Sequence, residues 1–267
     1  MGNRKHLREA FFAAHPWCCF CGGAVRASEE DHIPARSLFR RREWPVGYVF
    51  PACVDCNRAS AVDELAMAWL VRISISDPDL EGEREMTQCL LRLHDRRPDW
   101  IKGMQELSRV ETRQHLRQRG LSLETFAGLD IGVVTLPPDL ITVPERYGVK
   151  LGKALYYLHA GRVLPKEGTV RVAVFPNTDF MAAQFPLDRF VVLTARPIIA
   201  RSGKSLHSQF SYRFATSAED VGAAFLVQFG ESTAMVLLAV EDAAAYAERS
   251  AMRLSTCKGG SGVIAGA

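Results

Sequence analysis

Two Cys-x-x-Cys pairs, Cys18/Cys21 and Cys53/Cys56, bracket an Asp-His dipeptide at Asp31-His32, and Asn57 directly follows the last of these cysteines. Four thiolates in two such pairs suit one tetrahedral zinc ion, with Zn–S bonds of about 2.3 Å. Cys18 rather than Cys19 partners Cys21, because only Cys18 gives the two-residue spacing that lets both sulfurs reach one ion. Two unrelated cysteine pairs, one of them redox-active, are the weaker reading, since both hooks fit one metal. Asp31, His32 and Asn57 are residue types that phosphodiester hydrolysis uses. The reaction takes a nucleophilic water, a base to deprotonate it and a cation to hold the developing negative charge. A neutral imidazole suits the base, and a hard cation such as Mg2+ takes oxygen from Asp and from the Asn carbonyl. On a strand, however, residues 31 and 32 point to opposite faces, so a shared site needs a twist or bulge. The bland alternative is an acidic turn inside a small zinc module.

The elements that must position these residues are short at first and regular later. Arg4 to Ala14 has helical composition, with Leu7, Phe11 and Ala14 on one face and Pro16 as its stop. Residues 17–56 are punctuated by Cys, Gly and Pro and predict no long element. From Asn57 the chain turns helical, Val62, Leu65, Ala66, Trp69 and Leu70 recurring at three-four spacing until Asp77-Pro78. Further helices are predicted over 83–95 and 99–119, the latter interrupted near Gly103. The run "IGVVTL" (131–136) reads as a short strand, and a helix over 144–159 is expected to stop at Gly161. Then come the strand-like runs "TVRVAVF", "FVVLTA", "FSYRFAT", "GAAFLVQFG" and "AMVLLAV", and an Ala-rich helix over 241–249. The expected fold class is α+β: a zinc module over 1–75, a helical region over 76–120, an α+β region with an antiparallel sheet over 121–257, and a flexible tail over 258–267.

A chain of 267 residues, 48% apolar, can bury a substantial core. The first sixty residues hold nine Lys/Arg against six Asp/Glu and so carry the whole net charge of +3. Arginine dominates there, and again over 92–119, and its planar fork suits phosphate. A solvated basic surface is the competing reading. No secretory signal is visible, and the longest apolar runs are too short to cross a bilayer. The expectation is a soluble, cytoplasmic protein with no membrane partner. Cys89 reads as a core residue on an apolar helix face.

The phrases "CFCG", "EDHIPARSLF" and "PACVDCNRASAVDE", in that order, resemble the zinc-stapled HNH endonucleases of the ββα-metal fold. The resemblance is strong over residues 17–64, under a quarter of the chain, with a weaker echo downstream in "GKALYYLHAGRVLP". It implies His32 as general base, Asp31 and Asn57 as ligands of a catalytic Mg2+ or Mn2+, and Cys18, Cys21, Cys53 and Cys56 as ligands of structural Zn2+. It also implies cleavage of nucleic acid, DNA ahead of RNA, leaving 5′-phosphate and 3′-hydroxyl ends. One departure stands out. The family's middle Asn is missing from "EWPVGYVFPAC", where Tyr48 or backbone groups would have to take its place. The rival reading is therefore a catalytically degenerate zinc module that binds nucleic acid or a protein partner.

Other residues carry weaker signals. Arg36, Arg40, Arg41 and Arg42 could clamp phosphates beside the Asp-His pair, or line a solvated loop. Asp63 and Glu64 match the family's acidic pair, yet acidic residues also favour the first turn of any helix. Phe39 and Trp44 could stack on bases, but core packing is the stronger reading. Tyr156 and His159 share a helix face beside Lys153 and Tyr157 and could line a ligand pocket, against ordinary packing.

Overall fold

The computed structural model describes residues 2–73, 80–121, 133–176, 192–217 and 222–247. Helix α1 (Gly2–Ala14) stops ahead of Pro16, as its composition predicts. Strands β1 (Glu29–His32) and β2 (Val49–Ala52) then pair antiparallel, Asp31 opposite Phe50 and His32 opposite Val49. The chain between them makes two single 3-10 turns, Arg36–Leu38 and Arg40–Arg42. Helix α2 (Val54–Ala59) starts from Cys53 at its N-cap, and α3 (Ala61–Leu70) follows after Ser60.

Helices α4 (Leu80–Arg96) and α5 (Pro98–Lys102) come next. The helix predicted over 99–119 is broken more deeply than its glycine suggests. Gly103 ends α5, strand β3 (Gln105–Glu106) intervenes, and a capping box between Ser108 and Glu111 starts α6 (Arg109–Gln118) afresh. β3 pairs with β4 (Val134–Thr135), which lies within the described part of "IGVVTL", residues 133–136. After α7 (Pro138–Ile141) comes α8 (Val143–Ala160), ended by Gly161 in the left-handed conformation at φ 69°.

β5 (Thr169–Pro176) opens the main sheet; a small hairpin, β6 (Ala200–Arg201) and β7 (Lys204–Ser205), precedes β8 (Ser211–Ser217), β9 (Gly222–Phe229) and β10 (Thr233–Val240). The four long strands form one antiparallel sheet in the order β5-β10-β9-β8. The fold is thus mixed α and β, with the expected antiparallel sheet on the C-terminal side. "FVVLTA" departs from expectation. From Val192 onward it forms no strand, only an isolated bridge from Ala195 to Phe214, and Val192 is exposed. Several expected features lie outside the described residues: the Asp77-Pro78 break, residues 131–132 and 190–191, the end of the Ala-rich helix at 248–249 and the tail.

α8 joins the halves. It packs on β5 and β10 with one side and on α3 with another. Its approach to β5 needs glycine: a Cβ on Gly148 would lie 2.6 Å from Val172 Cγ1, and one on Gly152 2.5 Å from Val170 Cγ1. The apolar core is continuous, running from Cys18, Ile33 and Phe50 through Met67 and Leu151 to Phe225 and Leu237. Among the described residues no helix is long and apolar enough to cross a membrane.

Candidate functional site

The two cysteine hooks converge. One sulfur from each of Cys18, Cys21, Cys53 and Cys56 lies within 4.8 Å of all the others. A tetrahedral zinc with bonds of about 2.3 Å sets its sulfurs about 3.8 Å apart, which this spacing can accommodate with little adjustment. The first hook is shaped by backbone. Phe20 N–H donates to Cys18 Sγ at 3.4 Å, and Gly23 N–H donates to the Cys18 carbonyl at 3.1 Å. Gly22 must be glycine, because its φ is +70° and a Cβ there would lie 2.8 Å from the Lys166 backbone. Cys19 is excluded from the cluster, as the spacing predicts. It is fully buried, and burial pushes its thiol well above the ordinary range. These four cysteines fit a structural zinc. Among the described residues no other set of His, Cys, Asp or Glu side chains converges in this way.

β1 separates the Asp-His pair. The strand pairs regularly, so alternation places Asp31 on the inner face and His32 on the outer one. Asp31 is only 5% exposed, and its Oδ2 lies against Lys150 Nζ from α8. Lys150 also donates to Glu64 Oε1 at 2.7 Å and to Ser60 Oγ at 2.5 Å. Burial opposes the Lys150 charge, but Asp31 and Glu64 outweigh it and raise its pKa. Burial also raises both carboxylates, since one ammonium serves two of them. Asn57 Nδ2 donates to Glu29 Oε2 at 2.6 Å. In this arrangement the Asp31 carboxylate is committed to a lysine and the Asn57 amide to a carboxylate. The Asn57 carbonyl oxygen, the atom a hard cation would take, is not part of that contact.

The outer face has a different character. Arg36 Nη2 lies 2.5 Å from His32 Nε2, which makes that nitrogen the acceptor and puts the ring proton on Nδ1. The His32 ring meets Trp44 edge-on at 5.3 Å between centroids. Two guanidiniums stack on the same indole, Arg36 at 3.7 Å and Arg201 at 3.9 Å from its centroid. Arg201 Nη1 also donates to the Trp44 carbonyl. Burial first, then the charges of Arg42, Arg201 and Arg4, push the Arg36 guanidinium below its ordinary value. Arg36 Nε is buried with no hydrogen-bond acceptor.

Burial, then Arg36 and Arg201, push His32 down to about 4 from 6.5. The imidazole is therefore neutral at pH 7. An unfolded chain takes up a proton near pH 6.5 that the folded one refuses until about pH 4. Stability should fall as pH drops through that window. The full linkage over it is about 3 kcal/mol; solvent screening at a half-buried ring brings the expectation down to on the order of 1–2 kcal/mol. Urea unfolding of wild type and His32→Gln at pH 7 and pH 4.5 reads the difference. The variant should lose less stability in acid, and equal losses would remove His32 from the account.

The remaining sequence candidates scatter. Arg41 turns away to α4, pairing bidentately with Glu81 while its backbone N–H donates to Glu85. Arg40 donates its backbone N–H to Gln209 at 2.7 Å. Arg36 stays with His32, and the charge of Arg42 is felt at Arg36. Asp63 takes a bidentate contact from Arg146 of α8, at 2.8 and 2.9 Å. Trp44 stands on the basic face, while Phe39 is in the core beside Phe210. Lys153 donates to the Phe20 carbonyl, and Tyr156 bonds Glu241. Tyr157 meets His15, and His159 stacks on Phe214 at 3.7 Å and bonds Tyr212. These four are packing residues. Comparison with protein-family models, curated proteins and solved structures gives no match to this chain.

Lys150 and Arg201 escaped the sequence reading. Lys150 does carry a signal: Val143, Tyr147, Lys150 and Ala154 recur at three-four spacing, so the lysine occupies a core position of an amphipathic helix. Arg201 has none, since nothing local ties it to residue 44.

Proposed function

We propose that the protein binds the phosphate backbone of nucleic acid, DNA ahead of RNA, on the His32 face of a zinc-stapled ββα module. The observation that carries this reading is the crowd of arginines around one indole. Arg36 and Arg201 stack on Trp44, Arg42 and Arg4 add their charge, and an arriving phosphate would relieve that repulsion. Arg36 Nε is buried without an acceptor, so a phosphate that drew the side chain outward would satisfy it, and a partly exposed indole flanked by guanidiniums can also take a base. Backbone contacts of this kind give affinity without sequence preference. Fluorescence anisotropy against labelled DNA duplex, single strand and RNA, at several salt concentrations, tests it. Arg36→Ala and Arg201→Ala should each weaken binding to every sequence and lower the salt slope by about one. An unchanged affinity and slope in the double variant would sink the reading.

A second reading, hydrolysis by an HNH-type endonuclease, is favoured by a separate observation. The order Cys-x-x-Cys, Asp-His, Cys-x-x-Cys-Asn is laid out on a hairpin and the helix that follows it, with His32 neutral at its edge. A neutral imidazole can take a proton from water. Arg36 covers His32 Nε2, and a phosphate that drew the guanidinium away would uncover that lone pair. The expected result is plasmid nicking with Mg2+ or Mn2+ that His32→Ala abolishes at unchanged zinc content. Equal nicking by both proteins removes His32 as base, and no nicking by wild type leaves the binding module alone.

A further inference from the structure

We infer that the Lys150 ammonium is the resident cation of the acid site behind β1, so that α8 and a hard divalent cation compete for Asp31 and Glu64. The ammonium donates to Glu64 Oε1 and Ser60 Oγ and lies against Asp31 Oδ2, a buried oxygen that accepts no hydrogen bond of its own. Two carboxylates and a hydroxyl are also the hard oxygen set that Mg2+ or Mn2+ takes. A fourth oxygen is close by. The Tyr147 hydroxyl is buried with no side-chain partner; burial and the charges of Glu64 and Asp31 hold the phenol protonated, against a weaker pull from the Ala35 backbone. The ammonium leaves this oxygen unused, and a cation with more coordination positions could recruit it.

Lys150 is not free to swing out. Arg146, one turn earlier on α8, is clamped to Asp63, the neighbour of Glu64. On the other side, Gly148 and Gly152 set the helix directly on Val172 and Val170. The Phe20 ring lies 4.8 Å from the ammonium and shuts off a further direction. A divalent ion therefore reaches Asp31 only if α8 shifts or the lysine is removed. The C-terminal half thereby decides what cation the inner face of the hairpin holds. This inference rests on the packing of α8 and does not require the protein to bind or cut nucleic acid.

The test counts Mn2+ by electron paramagnetic resonance in wild type and Lys150→Met, with zinc measured in parallel. At up to about 1 mM, wild type should bind no Mn2+ that depends on Asp31. Lys150→Met should gain one Mn2+ per chain, and its melting temperature should climb with Mn2+ by mass action. Adding Asp31→Asn to that variant should abolish both. One Mn2+ on wild type that Asp31→Asn removes overturns the inference, as does a folded Lys150→Met that ignores Mn2+. If Lys150→Met is unfolded alone, Mn2+ should restore its circular dichroism, and failure to do so also counts against the inference. No nucleic acid enters these measurements, so their outcome is separate from the binding and nicking assays.

Discussion

Stripping the metal from Cys18, Cys21, Cys53 and Cys56 should unfold the chain between residues 17 and 60. β1 and β2 have four residues each and α2 has six. A two-stranded hairpin and a helix of that length are marginal by themselves in water. Sixteen residues, 33–48, separate the strands with only two 3-10 turns among them, so the staple must offset a considerable loop entropy. Structural zinc in small modules contributes an apparent 10 kcal/mol or more, roughly, at neutral pH. Part of this region is also held by the core, through Ile33, Phe50 and Ala52, so the expected loss is smaller, on the order of 5 kcal/mol. Metal analysis should give one zinc per chain, and Cys53→Ser should lose it. Hydrogen exchange should then show protection vanishing over 17–60 while the β5-β10-β9-β8 sheet keeps part of its own. A metal-free protein with an unchanged melting temperature would dispose of the staple.

Local signals were enough to locate the cysteine cluster; for Asp31 and His32 they gave only the condition that a strand would turn the two apart, while the resemblance implied one shared site. Cys-x-x-Cys spacing is a short-range constraint, and strand alternation is fixed by backbone geometry. What holds the segment "EWPVGYVFPAC" in place comes from distant parts of the chain. Tyr48 is buried, its hydroxyl 3.1 Å from that of Tyr212 and its ring edge-on to Phe210. The segment before the second hook is thus fastened to the C-terminal sheet by aromatic packing. The four arginines after the Asp-His pair show the opposite case. They look equivalent in sequence, but Arg41 and Arg42 take positive φ, at 53° and 56°. The turn sends Arg41 to the acidic first turn of α4 and leaves Arg42 beside Arg36. Lys150 and Arg201 come from more than 100 residues downstream, and a charge run near residue 40 cannot report on them. "FVVLTA" misled because an apolar run lacks a period that distinguishes strand from loop.

The buried trio of Asp31, Lys150 and Glu64 should give the largest single-residue effect outside the zinc cluster. Lys150→Met removes the one cation from between two carboxylates and leaves a side chain of similar length. Breaking a buried pair in this way costs about 3–5 kcal/mol, because the remaining charges lose their partner and cannot regain water. The carboxylates should respond by holding protons. Burial already raises both of them with the lysine present, and its removal adds to that shift. A carboxyl whose folded pKa is raised binds protons more readily in the native state than in the unfolded chain. The variant should therefore recover stability as pH falls from 7 toward 5, the direction opposite to the His32 effect. Neutralising the whole site separates geometry from charge. Lys150→Met combined with Asp31→Asn and Glu64→Gln leaves no buried charge, and desolvation of three ions no longer opposes folding. That triple variant should return to within about 1–2 kcal/mol of wild type in urea unfolding at pH 7, with the acid recovery gone. If it stays as unstable as Lys150→Met, shape rather than charge fixes α8 against β1. If it returns, the ion trio adds little net stability, and its retention at the inner face of the hairpin is better explained by cation occupancy than by folding.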